Sequence, residues 1–295
     1  MTVADALLLT TAVIWGVNFA VVKYALASFS PLALNSVRFT VAVAVVTAAA
    51  RLSGRRWHFE RRHLPALIGL GILGNTGYQL LFIYGAAATT ADNAALILAT
   101  VPAWVALLGT VFGVERVRPL GWLGVALSLT GIAVIVTASD RAADFHFGGA
   151  TMRGDVLILL CTLCWSLYTL SSRPLMRRYG VLTVTSFCVT VGAVPLILPG
   201  LPELLDREAI PAGAWAAAVA SGALAIGIAY FCWNHGISHL GSARTALYSN
   251  LTPPIALVTA WLALGETLTA GQAGGAALAI AGVVLARRHA SPLEP

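Results

Sequence analysis

The chain has 295 residues, 58% of them hydrophobic and only 10% charged, with a mean hydropathy of +0.84. So few charges cannot clothe a water-soluble domain, which excludes a soluble enzyme or binding module. The formal charge of +6 does not mark a nucleic-acid binder either, because nearly all charges sit in short connectors between apolar runs.

Apolar runs of roughly 18 or more residues read as bilayer spans. In chain order the predicted spans cover residues 4–24, 31–51, 64–84, 93–113, 119–138, 154–175, 181–200, 212–234, 243–263 and 270–288. Each is close to the ~20 residues needed to cross ~30 Å of hydrocarbon. Backbone groups in lipid must bond internally, and the alternation of barrel strands is absent. The expected fold is therefore all-α integral membrane, with ten transmembrane helices.

The first span starts directly after Met-Thr-Val-Ala-Asp, with no basic segment or cleavage site, and reads as a retained helix rather than a signal peptide. It carries Trp15 and, one turn on, Asn18, whose amide suits a hydrogen bond to a substrate or to a neighbouring helix. Lys23 closes it as a gate or a snorkelling anchor. Arg38 lies two turns into the second span and needs a partner or water, which points to a structural or gating role. In the third span Tyr78 and Gln79 stand beside Gly69, Gly71, Gly74 and Gly77, small residues that let helices approach or leave room for a ligand. The fourth span carries Pro102, expected to kink it at a flexing point or to shape a cavity, and Trp104. Glu115 ends it, placed to complement the positive amino-terminal end of the fifth.

In the sixth span Cys161 and Cys164 form a CxxC. No second Cys/His pair at zinc spacing accompanies them, so they and Cys188 and Cys232 read as packing residues, and no metal or cofactor is expected. Trp165 and Tyr168, three apart, share a helix face. Such aromatic walls enclose an apolar side chain and attract a cationic amine. Arg173 ends this span as Lys23 ends the first. Tyr230 in the eighth span, and Tyr248 and Asn250 in the ninth, are further candidates. Pro253 and Glu266 repeat the pattern of Pro102 and Glu115. Trp57, Trp122 and Trp215 stand near span ends, as interface-belt residues do.

A shift of 150 or 151 positions superimposes landmarks of the two halves. Trp15 falls on Trp165, Lys23 on Arg173, Gly85 on Gly236, Pro102 on Pro253 and Glu115 on Glu266. Gly124 falls on Gly275 and Gly131 on Gly282. The repeats are residues 1–145 and 146–295. Five spans per half invert the second copy, and the charges agree: the Arg-rich connector at 51–63 corresponds to the acidic one at 201–210. With both termini cytoplasmic, 13 of the 18 Lys and Arg face inward, as the positive-inside rule requires. Inverted repeats place a substrate site near the midplane, where the halves meet.

Trp15-Gly16-Val17-Asn18-Phe19 with Lys23, Arg38, and the two Pro…Glu…Gly…Gly series resemble the EamA family of drug/metabolite transporters over the whole chain. Within it the chain looks most like the YddG-type amino-acid exporters, with aromatic-rich helices and no fixed charge in the presumed pocket. The resemblance implies export of amino acids or similar metabolites from a central cavity, across a bacterial inner membrane.

A multidrug or other metabolite exporter is the alternative. The chain is expected to work as a monomer, with a dimer left open. The acidic residues fall in connectors, tails or span ends, and His235 and His239 lie near the inner face. This favours facilitated export, although a span-end carboxylate such as Asp92 leaves proton coupling open. There is no GxxxxGK[ST] loop, no HExxH and no Ser/His constellation, which argues against an ATP-driven pump or a membrane enzyme. Nothing resembles a repeated channel filter.

Overall fold

The computed structural model describes residues 2–89, 91–138, 151–205, 210–264 and 269–292, and nearly all of them are helical. In chain order the helices are α1 (Val3–Leu26), α2 (Pro31–Leu52), α3 (Arg61–Ala88), α4 (residues 91–111), α5 (Pro119–Thr137), α6 (Met152–Tyr179), α7 (Val181–Leu204), α8 (Ala212–Leu240), α9 (residues 242–264) and α10 (Ala270–His289). All but α9 are long and apolar enough to cross a bilayer, which makes nine such helices among the described residues.

Local chemistry sets the ends. Thr2 and Asp5 cap α1 reciprocally: the Thr2 hydroxyl accepts from the Asp5 N–H, and the Asp5 carboxylate accepts from the Thr2 N–H. Ser30 caps α2 ahead of Pro31, and α6 and α8 stop at Gly180 and Gly241, whose φ angles of +86° and +90° suit glycine. The predicted end of α8 at 234 falls short, since the helix runs to Leu240.

The expected proline kinks in α4 and α9 are instead breaks. Helix α4 comprises Ala91–Leu98 and Val101–Val111, with Pro102 in the first turn of the second piece. Helix α9 comprises Ser242–Leu247, a tight turn at Tyr248–Leu251, and Thr252–Leu264, with Pro253 again in a first turn. A proline there forfeits no hydrogen bond, because the first turn's N–H groups have no partner inside the helix. Each of α3 and α8 contains a wider π-helical stretch, at Ile72–Gly77 and Ser221–Ile228.

The packing pairs recur between the halves: α1 lies on α8 and α9 as α6 lies on α3 and α4, while α2 meets α7 and α5 meets α10. The α5–α10 pair is the tightest. A Cβ on Gly131 would stand 2.4 Å from the Ala279 nitrogen, and one on Gly282 would stand 2.4 Å from the Ser128 nitrogen. Only glycine permits this backbone contact. A departure from the all-helical expectation is a short antiparallel pair, β1 (Glu115–Val117) with β2 (Ala290–Pro292), in register Arg116↔Ser291. It ties the end of α4 to the end of α10.

Candidate functional site

Where α1, α3, α6 and α8 meet, the side chains singled out from the sequence converge. Trp15 sits on Trp165 at 5.8 Å between ring centroids, and on Tyr230 at 6.3 Å, both edge-on. Trp165 is the hub. It also meets Tyr78 at 4.9 Å, Tyr230 at 5.1 Å, Tyr168 at 5.3 Å and Trp233 at 5.7 Å. Tyr78 stacks on Phe82 at 6.0 Å. These spacings are those of rings in mutual contact. The rings thus fill the junction that the sequence reading assigns to a cavity.

The polar rims are ordered. Trp15 Nε1 donates to the Ala225 carbonyl at 3.0 Å, within the π-helical stretch of α8. At the start of that stretch Ser221 Oγ donates to Asn18 Oδ1 at 2.6 Å and accepts from Arg38 Nε at 2.9 Å. Arg38 Nη1 donates to Asn35 Oδ1 at 2.9 Å, and Arg38 is only 3% exposed. Gln79 Nε2 donates to the Tyr230 hydroxyl at 3.2 Å, while Gln79 Oε1 is buried with no hydrogen-bond partner among the described residues. Asn234 Nδ2 donates to Tyr168 and Thr185 hydroxyls at 2.9 and 2.8 Å.

Backbone geometry makes room for this arrangement. A Cβ on Gly74, inside the π-helical stretch of α3, would stand 2.3 Å from the Tyr168 ring. The wider helix and the bare glycine together seat Tyr168 beneath Trp165. Such π-helical insertions recur at functional sites.

Trp15, Asn18, Arg38, Tyr78, Gln79, Trp165, Tyr168 and Tyr230 are therefore gathered around one junction. Trp233, Asn234, Ser221 and Asn35 belong with them and were missing from the sequence reading. Trp104 is half-buried on α4, with no ring contact or side-chain hydrogen bond among the described residues. Asn250 donates instead to Ser128 on α5 at 2.8 Å. Tyr248 donates to the buried Asp5 carboxylate at 2.8 Å, which also pairs with Arg287 at 2.8 Å, at the end bearing both termini. A small apolar cleft lined by Pro102, Ala106, Val125, Ala243 and Leu247 also lies apart from the rings.

Glu115 does not cap α5 as expected. Its carboxylate accepts from the Ser242 and Ala243 N–H groups at 2.7 and 3.4 Å, capping α9 from the other half. Burial raises its pKa, opposed by these backbone bonds and by Arg173 and Arg244 nearby. Arg173 thus belongs to the surroundings of Glu115, and its Nε is buried without a hydrogen-bond partner among the described residues. Glu266 and the Lys23 side chain lie outside the described residues.

Comparison with known proteins agrees with this architecture. Residues 2–137 and again 152–288 match the EamA-like transporter family. A "Probable terminal-alkyne amino-acid exporter" of Streptantibioticus cattleyicolor is 32% identical, over 96% of this chain and 92% of its own. "Aromatic amino acid exporter YddG" of Ancylobacter novellus is 27% identical, over 94% of this chain and 96% of its own. A solved crystal structure shares the fold, with a TM-score of 0.81, 24% identity and 96% coverage of both chains. Helices fit for a bilayer, and a family match repeated along nearly the whole sequence, place the chain in the EamA-like transporter family.

Proposed function

We propose that this transporter exports amino acids with aromatic or other hydrophobic side chains, or small neutral ones, across a bacterial inner membrane by alternating access. The observation that carries this reading is the ring cluster around Trp165, bordered by the amides of Asn18 and Gln79. Aromatic faces suit an apolar side chain, and amides suit the polar groups of an amino acid. The rings touch one another, so a substrate enters by parting them. The two exporters named above support the same substrate class.

In this reading α9 is a tenth span, broken at its middle as α4 is, and both termini are cytoplasmic. The halves are inverted repeats. The exchanged packing pairs, the paired π-helical stretches and the paired breaks support this. One chain holds the whole site, so the monomer suffices.

Counterflow in proteoliposomes tests the proposal. Vesicles loaded with unlabelled amino acid at symmetric pH are given labelled phenylalanine, threonine or methionine outside. Accumulation above protein-free vesicles is expected without a proton gradient. Folded protein that accumulates none of the three, but moves cationic drugs, would overturn the reading in favour of multidrug export.

A further inference from the structure

We propose that Arg38 and Gln79 are the two ends of a zwitterion site, with Arg38 binding the carboxylate of the transported molecule and Gln79 its ammonium. The inference rests on the amino-acid reading and specifies which atoms perform it.

Arg38 is 3% exposed on a membrane-spanning helix. A guanidinium carries five N–H donors. Two go to neutral oxygens, Ser221 Oγ and Asn35 Oδ1. No carboxylate among the described residues pairs with it. A buried charge without a counter-ion is costly, so its retention at this depth calls for a ligand anion. The planar fork fits a carboxylate with two parallel hydrogen bonds.

Gln79 presents the complementary deficit, a buried carbonyl oxygen with no donor among the described residues. Its amide nitrogen is held by the Tyr230 hydroxyl at 3.2 Å, which aims the amide. Arg38 bonds Ser221 on α8, the helix that also carries Tyr230, and through Ser221 it meets Asn18, one turn from Trp15 on α1. An unspent cation and an unspent acceptor therefore both face α8, whose Tyr230 ring rests on Trp165 and Trp15. An α-amino acid carries its carboxylate and ammonium on one carbon, with the side chain beside them, and matches all three features. A cationic amphiphile without a carboxylate meets the Arg38 charge and is repelled.

The test uses the full-length protein in nanodiscs, with tryptophan fluorescence reporting binding, alongside proteoliposome counterflow. The probes are phenylalanine, 3-phenylpropionate, which lacks the ammonium, and 2-phenylethylamine, which lacks the carboxylate. Wild-type protein is expected to bind phenylalanine best and phenylethylamine about 30-fold more weakly or worse. Arg38→Gln is expected to weaken phenylalanine and phenylpropionate by a similar factor without weakening phenylethylamine. Gln79→Leu is expected to weaken phenylalanine and spare phenylpropionate. Should Arg38→Gln fail to fold, Arg38→Lys keeps the charge without the fork, and the wild-type probe ranking decides unaided. Phenylethylamine binding as tightly as phenylalanine, or Arg38→Gln weakening all three probes equally, would overturn the site. Phenylalanine counterflow untouched by Arg38→Gln sinks this site and leaves amino-acid export standing. Arg38-dependent carboxylate binding without counterflow of any amino acid keeps the site and sinks export. Binding of none of the probes sinks both.

Discussion

Trp165 touches five other rings, contributed by α1, α3, α6 and α8. Truncating a residue so placed removes packing on every side. Trp165→Ala is expected to cost about 3–5 kcal/mol of stability, while Trp165→Phe should fold and lose mainly affinity for aromatic substrates. Thermal unfolding of both variants, with phenylalanine counterflow for the second, checks this. Equal unfolding temperatures for Trp165→Ala and wild type would show that the hub packs loosely.

Glu115 offers a second test. Glu115→Ala strands the Ser242 and Ala243 N–H groups and is expected to cost about 0.5–2 kcal/mol, as lost caps do. Glu115→Gln keeps an acceptor and removes a charge that burial disfavours, so it should retain most of that stability at neutral pH. The folded protein holds this proton more tightly than the unfolded chain, because burial raises the Glu115 pKa. Its contribution is therefore fully present below the ordinary carboxylate range and is lost as pH rises through the raised folded value. Thermal unfolding against pH should show the wild type losing stability across that interval relative to Glu115→Gln. A flat difference would remove Glu115 from the account.

The candidate site was legible wherever a polar or aromatic residue interrupted an apolar run, as Asn18, Gln79 and Trp165 do. Trp233 and Asn234 escaped because the predicted span ended at 234, whereas α8 runs on to Leu240 and carries them inward. Trp104, Tyr248 and Asn250 met the same compositional test and lie elsewhere. Periodicity alone does not tell a junction-facing side chain from one on another face.

Among the elements, α5 and α10 form the scaffold. The repeat landmarks Gly124, Gly131, Gly275 and Gly282, recognisable in the sequence only as periodic small residues, are where these backbones touch. Gly131→Val must push Ala279 away and is expected to destabilise by about 1–3 kcal/mol. Gly69→Val, at a position where an added Cβ meets nothing within 4 Å, serves as the control. Thermal unfolding that treats the two alike would refute the seam. The breaks in α4 and α9 were less legible. A proline in an apolar run signals a kink and a restarted helix equally, and only the backbone around Thr100 and Tyr248–Leu251 decides between them. The π-helical stretches left no sequence signal beyond their glycines.

Across the whole molecule, bonds between the halves close both ends. At the end bearing the termini, Asp5 holds Tyr248 and Arg287, and Glu115 holds Ser242. At the other end Asp155 accepts from Asn93 at 3.1 Å and from Thr89 at 2.5 Å, and Thr269 donates to the Ala138 carbonyl at 3.1 Å. Alternating access requires that one set part while the other holds, and removing one set shifts the population toward opening at that end. The reporter is Asn18→Cys, at the ring junction, in a chain whose four cysteines are replaced by alanine. A membrane-impermeant maleimide is applied to right-side-out or inverted vesicles. Asp155→Ala is expected to raise labelling from the outside, and Asp5→Ala from the inside. Each should be reversed by a substrate gradient that favours the opposite state. Two carboxylates at equivalent positions of the two halves then act with opposite sign, which is the behaviour of inverted repeats around one site. If both variants raise labelling from the same side, the halves do not exchange roles, and the ring junction opens through a single fixed entrance.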